Sequence, residues 1–155
     1  MRFLVRGIPQ DIADEVRRTR RSPGYGHPAH QELAGGTGPC RCCLEPFVPG
    51  VDQRLLFTWR PPSAEGELLA PGPVFIHADH CEAFSGPAFP EELRSLPLAF
   101  EARATGSRVT LLSCEQHVSP EAQMRVLFDD HQAQWLHLRH AEAGCYIARV
   151  DRLAA

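Results

Sequence analysis

The chain has 155 residues, 43% of them hydrophobic and 23% charged, with a net charge of −3. That length can bury most of its apolar surface in a single domain, residues 1–155, and the composition is not that of a disordered chain. The acidic balance gives no general attraction to nucleic acid or acidic membranes, and 14 prolines with 12 glycines argue against long helices.

Met1 to Arg6 is too short an apolar run for a signal peptide, and Leu68 to Ile76 is broken by Pro71-Gly72-Pro73 before it could span a bilayer. A soluble, cytoplasmic protein is expected, so its six cysteines read as reduced thiols and not as a disulfide framework. Phe3 to Val5 reads as a first strand, closed by Gly7 and Pro9. Asp11 to Arg18 reads as a short helix with Ile12 and Val16 one turn apart. The polar, Gly/Pro-rich stretch 17–39 lacks an apolar period and reads as a flexible loop.

Leu55, Phe57 and Trp59 alternate with Leu56 and Thr58, which predicts a strand ended by Pro61-Pro62. Val74 to Ile76 forms the next strand, with a helical turn expected near Asp79 and a short helix over Pro90 to Leu96. Leu98 to Ala104 and Val109 to Leu112 flank Thr105-Gly106-Ser107 as a hairpin. Ser119-Pro120 is an N-cap signal for a helix with Met124, Leu127, Phe128 and His131 on one face and a Glu121–Arg125 pair on another. Trp135 to His140 and Cys145 to Val150 form a second hairpin around Ala141 to Gly144. The C-terminal module is therefore strand–strand–helix–strand–strand, and the class is α+β with a mainly antiparallel sheet and a few short helices.

Three segments concentrate groups able to do chemistry. The strand Val74 to Ile76 delivers His77, His80 and Cys81; upstream stand Cys40, Cys42 and Cys43; downstream stand His137, His140 and Cys145. Cys40 and Cys43 have a spacing that lets two thiolates share a metal, with His77, His80 or Cys81 completing a zinc site. His137 and His140, three apart on a strand, point to opposite faces and do not share a metal there. Alternatively His77 acts as acid/base beside a thiol nucleophile, Cys81 or Cys40, while Arg41 anchors an anionic substrate. Arg139 is a second candidate anchor, and Cys114 is expected to be a small buried hydrophobe. Gly35-Gly36-Thr37-Gly38 lacks the Lys-Ser/Thr of a P-loop, and the Arg17–Arg21 cluster has no aromatic platform for nucleic acid beside it.

Gly38-Pro-Cys-Arg-Cys-Cys-Leu44, Gly72-Pro-Val-Phe-Ile-His-Ala78 followed by Cys81, Trp135-Leu-His-Leu-Arg-His-Ala141 and Gly144-Cys-Tyr-Ile-Ala-Arg-Val-Asp-Arg152 together resemble the bacterial proteins grouped as domain of unknown function family 1203. The resemblance spans Arg2 to Arg152 and implies a small single-domain cytosolic protein. It marks Cys40, Arg41, His77, Cys81, His137, Arg139 and Cys145 as the positions to watch. Cys42, Cys43 and His80 depart from the family's pattern, so ligands drawn from them would be private to this chain.

Three functional classes follow. One is a small enzyme acting on a small metabolite, anionic if Arg41 anchors it, with His77, Cys81 and Cys40 catalytic and Arg41, His137, Arg139 and Cys145 binding substrate. The second is a zinc-binding protein using a subset of Cys40, Cys43, His77, His80 and Cys81. The third is a non-catalytic binding domain.

Overall fold

In chain order the elements are β1 (Arg2–Arg6), α1 (Gln10–Thr19), β2 (His30–Leu33), β3 (Gln53–Trp59), β4 (Gly72–His77), β5 (Ser85–Gly86), a 3-10 turn (Glu91–Leu93), β6 (Leu98–Arg103), β7 (Val109–Ser113), α2 (Pro120–Asp129), β8 (Trp135–His140) and β9 (Tyr146–Leu153). The computed structural model describes residues 1–62, 70–103, 109–113, 118–129 and 133–154. They divide into two units, one of Met1–Arg6 with Ser85–Ala155 and one of Gly7–Phe84. Both sheets are antiparallel, and the class is α+β.

The first unit is a six-stranded sheet in the order β5-β1-β9-β8-β6-β7. Alternation gives its strands two unlike faces. Phe3, Val5, Phe100, Leu136, Leu138, Ala148 and Val150 lie on the buried apolar face, each large side chain contributing about 1.5–3 kcal/mol by leaving water. α2 buries Met124, Leu127 and Phe128 at helical spacing, and its Phe128 carbonyl accepts a hydrogen bond from Arg152 of β9 at 2.6 Å. Its start is capped as expected: Ser119 Oγ accepts the Ala122 N–H at 3.2 Å. The other sheet face carries Glu101, Trp135, His137, Arg139, Arg149 and Asp151, matched across the strands by register.

The second unit is built on the three-stranded sheet β2-β3-β4. Leu55 pairs with Ile76 and Phe57 with Val74, and all four are buried. Cross-strand apolar pairs of this kind fix register, because a slip of one residue would turn them to the opposite face. Ala13 and Val16 of α1 are fully buried in the same unit. The helix ends where Arg20 turns left-handed (φ 55°) and its N–H bonds back to the Val16 carbonyl. Arg54 of β3 grips Glu32 of β2 through Nε and Nη2 at 2.9 and 2.7 Å, and its guanidinium lies 3.9 Å over the Phe75 ring.

Several expectations need correction. Within the stretch 17–39, Arg17 to Thr19 still belong to α1, and His30–Leu33 forms β2. No helical turn forms near Asp79; the chain only bends there. The expected helix over Pro90 to Leu96 is the 3-10 turn Glu91–Leu93. Glu121 pairs with Arg94 and not with Arg125. The turn at Thr105-Gly106-Ser107, together with Cys114, His117 and His131, lies outside the described residues. Among those described, no helix is long and apolar enough to cross a membrane.

Candidate metal centre

The site is made by two short backbone devices. The first is a tight turn between the paired residues Pro39 and Pro46. The Cys40 N–H bonds to the Glu45 carbonyl at 2.9 Å and the Leu44 N–H to the Cys40 carbonyl at 2.8 Å, with Leu44 in the left-handed region (φ 63°). So curled, the turn brings Cys40 and Cys43 into one cluster. It is clamped from outside: the Arg41 N–H donates to the Phe75 carbonyl at 2.8 Å, Ile8 N–H to the Arg41 carbonyl at 2.7 Å and Phe84 N–H to the Cys42 carbonyl at 2.9 Å.

The second device is the end of β4. His77 is its last residue, and the bend at Ala78 and Asp79 returns the chain so that Cys81 joins the same cluster. Gln10 of α1 braces this return, donating to the Cys81 carbonyl at 3.1 Å and accepting the Ala83 N–H at 2.8 Å.

One ligand atom each from Cys40, Cys43, His77 and Cys81 lie within 4.8 Å of one another. Cys40 Sγ and Cys81 Sγ are 3.9 Å apart, and Cys43 Sγ is 3.5 Å from His77 Nδ1. The ring's other nitrogen, Nε2, faces Asp52 Oδ2 at 3.4 Å, while the ring packs 4.6 Å from that of Phe47. Arg17 closes the cluster from α1. Its Nη2 is 3.0 Å from Cys81 Sγ, its Nε donates to the His77 carbonyl at 3.1 Å, and its Nη1 pairs with Asp14 at 3.2 Å.

The electrostatics follow from crowding thiols around one charge. Cys81 is pushed far below the ordinary thiol range, chiefly by the Cys40 thiol 3.9 Å from its sulfur. The reciprocal effect raises Cys43 through Cys40 and raises Cys42 through Cys81, burial adding to both. His77 is raised to about 9, chiefly by its hydrogen bond with Cys40, with burial pulling the other way. A soft cation is what such a set of donors accommodates, and the Cys3His cluster could bind a metal.

The remaining candidates lie elsewhere. His80 is exposed, its Nδ1 3.9 Å from Asp14, and it does not belong to the cluster. Arg41 is buried and its guanidinium donates to the Pro39 carbonyl, so the anchor expected beside the thiols is committed within its own turn. His137, Arg139 and Cys145 belong to the other unit. His137 is fully buried between Trp135 and Tyr146, with ring centroids at 4.5 and 5.1 Å. Neither of its ring nitrogens has a hydrogen-bond partner, Glu101 Oε1 being 3.9 Å from Nδ1. Arg139 instead takes Glu101 at 3.0 Å, and Cys145 Sγ sits at the hairpin turn, 3.9 Å from the Ala143 carbonyl.

Sequence reading missed Arg17, Gln10 and Asp52. Gln10, Ala13, Asp14 and Arg17 stand at the spacing of one helical face, so Arg17 could have been placed beside buried Ala13. Asp52 carries no local signal.

Fold and site together define an α+β protein with a Cys3His cluster in its Gly7–Phe84 unit. The chain belongs to the family described as protein of unknown function (DUF1203), whose match covers residues 37–152. That match takes in all four clustered residues and Asp52 but stops short of Arg17. No curated protein and no solved structure matches the chain.

Proposed function

We propose that the protein binds zinc through Cys40, Cys43, His77 and Cys81, in a closed site that holds the Gly7–Phe84 unit in its fold. One observation carries this reading. The S–S separation of 3.9 Å and the S–N separation of 3.5 Å are those between ligands on a zinc-centred tetrahedron, about 3.8 and about 3.5 Å for bonds of about 2.3 Å to sulfur and about 2.0–2.1 Å to nitrogen. With four protein ligands no position is left for water, which is the pattern of structural and not catalytic zinc.

The surroundings support the same assignment. Asp52 beside Nε2 is the carboxylate partner that fixes a ligating imidazole's tautomer and leaves Nδ1 free to bind. Three thiolates leave a zinc centre with one net negative charge, and the Arg17 guanidinium offsets it.

A second reading keeps the thiols metal-free, with His77 as acid/base and Cys81 or Cys40 as nucleophile. The proximity of Arg17 to Cys81 favours it, since a neighbouring cation activates a thiolate. Elemental analysis separates the two. Protein purified without chelator or affinity metal is expected to carry near-stoichiometric zinc and to show fewer freely titrating thiols than its six cysteines. Zinc-free protein with every thiol titrating would end the zinc reading and leave the thiol enzyme.

A further inference from the structure

The three thiolates of the centre are not equivalent, and resting on the zinc reading we propose that Cys43 is its reactive sulfur, the point at which a soft alkylating electrophile modifies the protein. Two conditions make a bound thiolate nucleophilic: access, and a lone pair not already drawn off by hydrogen-bond donors. Cys40 fails both, being fully buried and accepting the His77 N–H at 3.3 Å. Cys81 is part-exposed but fails the second. The Arg17 guanidinium donates to it at 3.0 Å, a charge-assisted bond, and cannot easily swing away because Nε and Nη1 are tied to the His77 carbonyl and to Asp14. Cys43 is part-exposed, and among the described residues its sulfur meets the His77 ring, at 3.5 Å, and no guanidinium. Cys42, which is no ligand, is fully buried with its thiol directed at the Cys81 carbonyl at 3.8 Å.

The reaction is a displacement. A lone pair of Cys43 Sγ attacks the electrophilic carbon, the sulfur–carbon bond forms as the carbon–leaving-group bond breaks, and the leaving group departs with the bonding pair. No proton moves and nothing is oxidised. Cys43 becomes a neutral thioether, a poorer zinc ligand than a thiolate, and the centre loses the negative charge that balanced Arg17. Alkylation and zinc release are thereby coupled, so the centre converts contact with an alkylating agent into loss of a structural ion.

The test uses zinc-loaded protein whose metal content has first been measured. A limiting amount of iodoacetamide is added, the modified cysteines are mapped by peptide mass spectrometry, and released zinc is followed with a chromogenic chelator. Cys43 is expected to be alkylated about ten-fold or more faster than Cys40 and Cys81, in line with the size of second-sphere effects, with zinc appearing in step. Arg17→Gln should raise the rate at Cys81 towards that of Cys43, by a larger factor than it changes Cys43 itself. Equal or faster modification of Cys81 in the wild type, or no response of Cys81 to Arg17→Gln, overturns the proposal while zinc binding stands. Protein that holds no zinc before the reagent is added removes the zinc reading itself, and this inference with it.

Discussion

Gly7 is where the backbone of the Cys40–Leu44 turn leaves least room. A Cβ built there would lie 2.1 Å from the Cys42 carbonyl oxygen and 2.9 Å from that of Arg41. Neither oxygen is free to yield, since Phe84 N–H holds the first at 2.9 Å and Ile8 N–H the second at 2.7 Å. Gly7→Ala therefore has to move a clamped backbone, and is expected to cost about 2 kcal/mol or more, the range of backbone-strain and lost-hydrogen-bond substitutions. On the zinc reading it should also weaken metal binding, because the displaced carbonyl lies between the two cysteines of the turn. Denaturant midpoints with and without zinc measure both effects. A variant with the wild-type midpoint and zinc content would show that the turn is not held against Gly7. Leu44 is a contrasting case at the same scale. Its left-handed backbone costs about 1–2 kcal/mol, but its side chain is 1% exposed, and burying a leucine returns about 1.5–3 kcal/mol, so a residue other than glycine is tolerated there.

At the scale of elements, β8 carries the least satisfied group described. His137 sits between Glu101 on β6 and Arg149 on β9, with Arg139 two residues along its own strand. Burial, first among the causes, lowers its pKa from 6.5. The sign follows from linkage. Above the unfolded value the ring is neutral in both states; below it the unfolded chain binds a proton that the folded chain resists, so stability falls as pH drops through 6.5 towards the folded value. Replacing His137 with Phe removes that proton-binding difference. Denaturation between about pH 7.5 and about pH 5 should show a shallower loss of stability in His137→Phe than in the wild type, a window set by histidine's ordinary pKa. Identical slopes would mean that the folded chain protonates His137 as readily as the unfolded one. The contrast between elements also explains what the sequence disclosed. β3 alternates because it has one buried face, whereas β8 and the start of β9 are buried on both, and Ser119-Pro120 is a local signal for a local event. β2 has no such pattern, since its four residues are exposed or half-buried and it is held by backbone bonds to β3 and by Glu32–Arg54. The expected helical turn near Asp79 fails for a tertiary reason: Gln10 takes up the Cys81 carbonyl and the Ala83 N–H. Cys40, Cys43, His77 and Cys81 were legible as reactive types at suggestive spacings. That Arg41 turns to Pro39 while Arg17 arrives from a helix more than 20 residues upstream was not, because both depend on chain segments meeting in space.

For the molecule as a whole, the two units differ in what they have to hold them. The unit of Met1–Arg6 with Ser85–Ala155 has long paired strands and a helix that buries Met124, Leu127 and Phe128. Among its described residues the Gly7–Phe84 unit has a three-stranded sheet, one helix of ten residues and much irregular chain. Segments of that size seldom supply more than a few kcal/mol from an apolar core alone and are commonly stapled by disulfides or a metal. The described cysteines are all free, so among these staples the Cys3His cluster offers only a metal. If zinc serves that role, its binding energy is folding energy for this unit, and a chelator withdraws it. Hydrogen exchange before and after zinc removal resolves the outcome element by element. Amides of β3 and β4 are expected to lose about ten-fold or more of their protection, while those of β8 and β9 keep theirs, since local stability follows the unit in which an amide is bonded. Equal loss in β8 and β9 would mean that zinc supports the whole chain and not one unit. Protection unchanged everywhere would mean that the Leu55, Phe57, Val74 and Ile76 core suffices without the ion, and that zinc is held there for its thiolate chemistry alone.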